Sequence, residues 1–262
     1  MEEIITEWKP KVSVVLPSYN EKENVEEVIS RISKSVGGSL HEVIVVDDDS
    51  PDGTWKIVNE ISKMDKRVKL IHRTKEKGLA SALDDGVRAA SGNVVVWLDC
   101  DLGLPPEDIP RLVSKLDKYD VAIGSRYAKG GRDLRPIWRS LLSVGLNWYS
   151  SLLLGWQVRD YTSGFVATRK EVLNYVRWQR NGFGEYFAEF AHQCFRKGFA
   201  VTEVGYKFRD RAGGKSKTDG LVRLLSLGWQ YGVKILELKF NIKPKILPEH
   251  TKPVLSKSKL IN

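Results

Sequence analysis

Cysteine is nearly absent from this chain: two residues, Cys100 and Cys194, among 262. Two cysteines make neither a disulfide framework nor a zinc-ligand spacing, and they suit a reducing compartment. Long apolar runs are missing too. The nearest to one, residues 140–158, is uncharged but diluted by Ser, Asn, Gln and Gly, so no membrane-crossing helix is expected. Met1-Glu2-Glu3 opens without an apolar stretch, which argues against a secretory leader. There is no internal repeat and no low-complexity block. Basic residues are not interleaved with aromatics into a platform, so nucleic acid is not an expected partner.

What remains is an ordinary globular composition, 42% hydrophobic and 29% charged, with a net charge of +9. The positive excess suits anionic partners such as nucleotide phosphates or an acidic membrane surface. The pattern up to residue 130 alternates short β-branched runs with amphipathic stretches. Strands are expected at 11–17, 43–46, 68–71, 94–98 and 119–124, and helices at 24–34, 54–64, 79–90 and 107–116. Alternation of this kind predicts a mostly parallel sheet flanked by helices.

Polar residues gather where these strands end. The most telling case is the uninterrupted run Val94-Val95-Val96-Trp97-Leu98, which stops on Asp99-Cys100-Asp101. In open α/β sheets the edge beyond the carboxyl ends of the strands is where ligands sit. Two acids spaced i, i+2 on an extended chain face the same way and can share one cation. Mg²⁺ and Mn²⁺ accept one or two carboxylates together with substrate phosphates. The competing reading is a turn whose acids cap the helix starting near Pro105-Pro106-Glu107-Asp108. Likewise Asp47-Asp48-Asp49-Ser50-Pro51-Asp52 reads either as a ligand-facing strand end or as an acidic turn with Asp52 as an Asx cap.

Beyond Gly130-Gly131 the chain turns richer in Leu and Trp. Residues 134–156 read as an amphipathic helix, lying in a membrane interface or packed as a core helix on the sheet. A loop into a strand is expected at 161–168, a helix at 184–196 and a strand at 201–208. A basic flexible loop follows at 209–217, then an amphipathic helix at 221–240 that is also a candidate for the membrane interface, and a flexible basic tail at 241–262.

Pro17-Ser18-Tyr19-Asn20-Glu21, Val46-Asp47-Asp48-Asp49-Ser50-Pro51-Asp52-Gly53-Thr54, Thr74-Lys75-Glu76-Lys77-Gly78-Leu79, Asp99-Cys100-Asp101-Leu102, Gly124-Ser125-Arg126-Tyr127 and Ser163-Gly164-Phe165 occur in this order. Together they resemble the family 2 glycosyltransferases of the GT-A fold, and within them the dolichol-phosphate (polyprenol-phosphate) mannosyltransferases. The resemblance spans about residues 12–217. It implies a Rossmann-like catalytic domain over residues 1–220, a GDP-mannose donor, Mg²⁺ or Mn²⁺, a dolichyl or polyprenyl phosphate acceptor and an inverted, β-linked product. It further implies a peripheral place on the cytoplasmic face of a membrane, with or without a membrane-anchoring subunit.

Residue by residue, the resemblance places Pro17, Tyr19 and Glu21 at the nucleoside and Val46 and Asp48 at the base. A carboxylate accepts the N1 and N2 hydrogens of guanine, which suits Asp48. Asp99, Cys100 and Asp101 fall at the diphosphate, with Asp99 and Asp101 as metal ligands. Arg126, Arg211 and Lys217 fall at the phosphates, with roles in catalysis. Two departures stand out. Members of this branch commonly carry Gln two residues after the second Asp, where this chain has Gly103. Glu185 stands near the catalytic acid of other family 2 enzymes, although a helix N-terminal acid explains it as well. If the donor were UDP-glucose or the acceptor a sugar hydroxyl, Glu185 or Glu189 would have to serve as base. A non-catalytic nucleotide-sugar-binding subunit is the reading from outside enzymology.

Overall fold

The computed structural model describes residues 8–182, 184–209 and 221–240, with 221–225 described by their backbone alone. In chain order the elements are β1 (Val12–Ser18), α1 (Val25–Val36), β2 (Leu40–Asp47), α2 (Thr54–Met64), β3 (Val68–His72), α3 (Leu79–Ala89), β4 (Val94–Trp97) and α4 (Ile109–Val113). They continue as β5 (Val121–Ser125), β6 (Arg132–Asp133), α5 (Ile137–Leu154), β7 (Val166–Arg169), α6 (Tyr186–Arg196), β8 (Val201–Gly205), β9 (Lys207–Phe208) and α7 (Leu221–Lys239).

Seven strands form one sheet in the order β3-β2-β1-β4-β7-β5-β8. All pairings are parallel except those of β7, which runs antiparallel to both β4 and β5. Side-chain alternation on the strands makes two cores. Val12, Val14 and Leu16 of β1 face one layer with Val25, Val28 and Ile32 of α1, Val58 of α2 and Ile109 of α4. Val15 and Trp97 face the other with α3, α6 and α7. Helix α3 comes close enough to the sheet that a Cβ on Gly86 would lie 2.4 Å from Cγ1 of Val15. That contact explains the small residues that open and line this helix.

Several expected boundaries move. The helix expected over 107–116 is one α-helical turn flanked by 3₁₀ turns, because Pro106 and Pro110 remove amide donors. The strand expected over 201–208 breaks at Tyr206. β8 stays in the main sheet, whereas β9 leaves it to pair with β6. At the start of α1, Asn24 holds the N-cap position, and the Ser18 hydroxyl bonds Asp47.

Opposite the ligand edge, Glu42 ties the start of the sheet together. Its side chain is 1% exposed. It accepts from Ser13 Oγ at 2.6 Å, from Ser91 N and Oγ at 2.7 Å and from Lys69 Nζ at 2.5 Å. Burial pushes this carboxyl up, but the hydrogen bonds from Lys69, Ser13 and Ser91 outweigh it and bring it down to about 2. A lowered folded value means stability that is complete above the unfolded carboxylate range and lost as pH falls through the folded value. Glu42→Gln is therefore expected to melt earlier at neutral pH. Its melting temperature should also fall less steeply between about pH 4.5 and pH 2 than that of the parent chain. Thermal melts across that window check both.

Candidate functional site

Parallel register places the ends of β2, β1 and β4 side by side on one edge. Ser18 is level with Asp47, and Val15 with Trp97, and Asp99 comes two residues beyond Trp97 on the same edge. The loops that follow are fastened to one another by side chains. Ser18 Oγ and Ser50 Oγ donate to Oδ2 of Asp47, and the Ser50 amide donates to its Oδ1. The amides of Asn20, Glu21 and Lys22 donate to Ser50, Thr54 and Asp52, each at 3.0 Å. Asp52 also accepts from the Thr54 amide and hydroxyl, so its Asx-turn role is realised.

Asp48 is buried between Arg73 and the Gly78 amide. Nε of Arg73 is 2.7 Å from Oδ1, and the Gly78 nitrogen is 2.7 Å from Oδ2. Arg73 is itself held by Ser81, Asp85 and the Gly78 carbonyl. A base meeting Asp48 would use the lone pairs these donors leave over. Val46 is a core residue with a fully buried side chain, so a ligand can meet only its backbone. Pro17 and Tyr19 are half-buried on the edge, with the ammonium of Lys77 5.5 Å from the Tyr19 ring. Glu21 is buried and accepts from Asn24 Nδ2 at 2.8 Å, which makes it a support for the turn.

The strand expected to run into Asp99 ends at Trp97, and Asp99-Cys100-Asp101 lies in the turn beyond it. The extended-chain argument for a shared cation is therefore replaced by turn geometry. Cys100 points into the core, while both acids are half-buried at the edge. Oδ1 of Asp101 accepts the Gly103 amide at 3.0 Å, and the Gly103 carbonyl accepts the Arg209 amide at 3.3 Å. A Cβ on Gly103 would lie 3.0 Å from the Arg209 carbonyl oxygen, from Phe208 and from Asp101 Oδ1. A side chain at this position would crowd the turn against Phe208 and the Arg209 carbonyl.

Gly164 lies against the other acid: a Cβ there would be 3.6 Å from Oδ2 of Asp99. The phenol of Tyr186, fully buried, is pushed up by that burial and by the charge of Asp99, so it stays neutral beneath the site. Among the described residues no group of three or more His, Cys, Asp or Glu is placed to hold a metal ion. Among the described residues a cation at this turn would meet two carboxylates, a set that fits Mg²⁺ or Mn²⁺ completing its shell with a diphosphate and water.

Arg126 does not stand open to a phosphate. Its side chain is 3% exposed and grips Asp160, itself fully buried, through Nε at 2.8 Å and a terminal nitrogen at 2.7 Å. It also donates to Thr162 and lies 3.5 Å from Asp133. Arg211 and Lys217 lie outside the described residues. A cavity of about 640 Å³ opens beside the Asp101–Gly103 turn, with Arg31, Arg111, Lys207 and Arg209 in its wall. Of the two glutamates considered as bases, Glu189 is buried in an ion pair with Lys234 of α7 at 3.0 Å. Glu185 accepts the Gly184 amide at 2.9 Å, at the start of α6.

Residues 134–156 pack one face on the protein and leave an apolar face exposed. Asn147, Ser150, Ser151 and Leu154 of α5 are buried, while Trp138, Leu141, Trp148 and Leu152 are about half exposed or more. Helix α7 repeats the pattern: Tyr231, Lys234 and Ile235 are buried, and Trp229, Val233, Leu236 and Phe240 are exposed. Every exposed large hydrophobic among the described residues except Met64 and Tyr119 lies on 134–156 or 229–240. No described helix is long and apolar enough to cross a membrane.

The sequence reading missed Arg73, Asn147, Asp160, Tyr186 and Tyr231. Each acts through a partner remote in sequence, and none sits in a local motif.

The chain is similar to a dolichol-phosphate mannosyltransferase of Pyrococcus furiosus, 44% identical over 80% of this chain and 60% of that protein's length. It is also similar to a polyprenol monophosphomannose synthase of Mycolicibacterium smegmatis, 38% identical over 79% of this chain and 80% of that one. Among solved structures, glucosyl-3-phosphoglycerate synthase of Mycobacterium tuberculosis in complex with Mn²⁺, UDP and phosphoglyceric acid matches with a TM-score of 0.66. At 24% identity, over 88% of this chain and 78% of that one, the match supports the GT-A fold. The model of "Glycosyl transferase family 2" covers residues 13–177, the strand edge and both acids of the turn included, and the chain belongs to that family.

Proposed function

We propose that this protein transfers mannose from GDP-mannose to a polyprenyl or dolichyl phosphate, with inversion at the sugar carbon. The observation that carries the reading is the Asp99–Asp101 turn. It follows β4 at the edge where β1 and β2 also end and lies against Gly164, within a chain 44% identical to a dolichol-phosphate mannosyltransferase.

The donor would lie along the ends of β1 and β2, with its diphosphate at Asp99 and Asp101. Those two carboxylates would hold Mg²⁺ or Mn²⁺. When bound, the cation neutralises charge that builds on the departing nucleoside diphosphate. A phosphate oxygen of the acceptor bonds to C1 of mannose as the bond from C1 to the diphosphate breaks, and the electron pair leaves with GDP. A phosphate monoester is already anionic, so the reaction asks for alignment and charge rather than a strong base. The engagement of Glu189 with Lys234 is consistent with this, and removes one of the two carboxylates that a hydroxyl acceptor could use as base. Arg211 and Lys217, together with Lys207 and Arg209 in the cavity wall, would supply positive charge for phosphates.

The acceptor's lipid tail gives the exposed faces of α5 and α7 their occupant, a bilayer surface. Trp, Leu and Phe on two adjacent helices suit interfacial seating without crossing. We place the protein peripherally on the cytoplasmic side of its membrane, where its two free cysteines would stay reduced.

The deciding assay combines the protein, Mn²⁺, GDP-mannose and a polyprenyl phosphate carried in phospholipid vesicles. Mannose recovered in the organic extract is the expected result, and none beside a working control enzyme would overturn the reading. In the same vesicles, Trp148→Ser with Trp229→Ser is expected to weaken membrane partitioning by about tenfold or more. Partitioning equal to the parent's in a sedimentation assay would refute the assigned face.

A further inference from the structure

Residues 160–165, which bring Gly164 against Asp99, are held by both of the helices that carry the apolar face. The amide of Tyr161 donates to Oδ1 of Asn147 on α5 at 2.6 Å. The carbonyl of the same residue accepts from the phenol of Tyr231 on α7. Asn147 also reaches Thr162, its Nδ2 lying 2.8 Å from the threonine hydroxyl. Both polar groups of one peptide residue are thus held by side chains from two separate helices, and Asn147 and Tyr231 are 4% and 6% exposed. Between Tyr161 and Gly164 the backbone is further fixed by Asp160, which accepts the Thr162 hydroxyl at 3.1 Å, and by Ser163, whose hydroxyl accepts the Phe165 amide at 3.1 Å.

We propose that Asn147 and Tyr231 are positioning residues for the cation and diphosphate site, setting the 160–165 loop against Asp99 from the two membrane-facing helices. The proposal rests on the reading of Asp99 and Asp101 as the cation site. Neither side chain touches the reacting atoms. Each acts by removing alternatives open to the loop. A buried carbonyl or amide that loses its partner must find another, and the short path from Tyr161 to Gly164 passes that movement to the backbone beside Asp99.

A control is built into the same helix pair. Tyr149 of α5 donates its phenol to the Gly232 carbonyl of α7 at 3.3 Å, and no hydrogen bond joins its side chain to the loop among the described residues. Tyr149→Phe and Tyr231→Phe therefore each remove one hydroxyl between a helix and a backbone carbonyl, but only the second releases the loop.

Two measurements test the proposal. First, hydrogen–deuterium exchange on the metal-free, ligand-free protein: amides 162–165 are expected to exchange at least fivefold faster in Tyr231→Phe and Asn147→Ala than in the parent, and unchanged in Tyr149→Phe. Second, calorimetry with GDP and Mn²⁺: affinity is expected to fall about fivefold or more in Tyr231→Phe and Asn147→Ala, and to stay within twofold of the parent in Tyr149→Phe. If the parent binds GDP without regard to Mn²⁺, the reading of the cation site falls and the proposal falls with it. If the parent shows Mn²⁺-dependent binding and Tyr231→Phe retains both its affinity and its exchange protection, the positioning role alone is overturned. Equal losses in Tyr231→Phe and Tyr149→Phe would overturn it too, because they would mark a general loosening of the helix pair.

Discussion

Replacing Asp99 with Asn is expected to lower kcat/KM for mannosyl transfer by about a thousandfold or more, with the fold retained. Three observations set the size of this effect. Asp99 lies in the turn two residues past the end of β4, Gly164 lies against its carboxylate with no side chain of its own, and among the described residues no cluster of three or more potential ligands is placed to hold a metal ion in its stead. Removing one of two charges from such a site takes away stabilisation felt mostly as the nucleoside diphosphate departs. Single preorganised groups at developing charge contribute on the order of a hundred- to a thousandfold, and a cation ligand adds the loss of the cation itself. Asp101→Asn is the sharper companion. The asparagine retains an oxygen able to accept the Gly103 amide, so the turn survives while its charge is lost. Both variants should need more Mn²⁺ for half-maximal activity. Activity within tenfold of the parent, at an unchanged Mn²⁺ requirement, would rule out the metal role of the turn.

The contrast between Asp99 and its neighbours shows what a sequence discloses. Val94-Val95-Val96-Trp97 reads as a buried strand because its burial is continuous and local, and all four residues are indeed enclosed. The strand–helix alternation through α3 was legible for the same reason. The antiparallel insertion of β7 between β4 and β5 was not, since pairing between residues some 70 positions apart leaves no periodicity in either segment. The acidic string at 47–52 read either as a ligand-facing strand end or as an acidic turn. In the structure Asp47 and Asp52 spend their oxygens on serine, threonine and backbone donors, and Asp48 is held by Arg73. Acids whose partners are near in sequence can be read as Asx turns in advance. A partner 25 residues away, as Arg73 is from Asp48, is supplied only by the sheet. Amphipathicity alone could not tell an exposed apolar face from a buried one at 134–156, because α5 carries apolar residues on both its buried and its exposed sides.

Arg126 carries the second large effect, and it is an effect on folding before it is one on phosphate. Asp160→Ala is expected to destabilise the protein by roughly 3–5 kcal/mol, the usual result of leaving one partner of a buried ion pair uncompensated. For a chain of this size that is roughly 6–20 °C in melting temperature. Burial works against the charged guanidinium of Arg126, but the charge and hydrogen bonds of Asp160 outweigh it and hold the group protonated. Without Asp160, the backbone amide of Arg126 also loses its acceptor at 2.9 Å, and Thr162 loses one of its partners. Arg126→Met combined with Asp160→Leu removes both charges and is expected to recover a good part of the loss, because well-packed apolar pairs often replace buried ion pairs at little cost. The recovery separates two roles that activity alone would confuse. If Arg126 were chiefly a phosphate ligand, Arg126→Ala would depress transfer while melting as the parent does, and the double variant would melt no higher than Asp160→Ala. If the pair organises the loop beside Asp99, melting temperature falls in both single variants and rises again in the double one. Calorimetric scans of the four proteins decide between these roles.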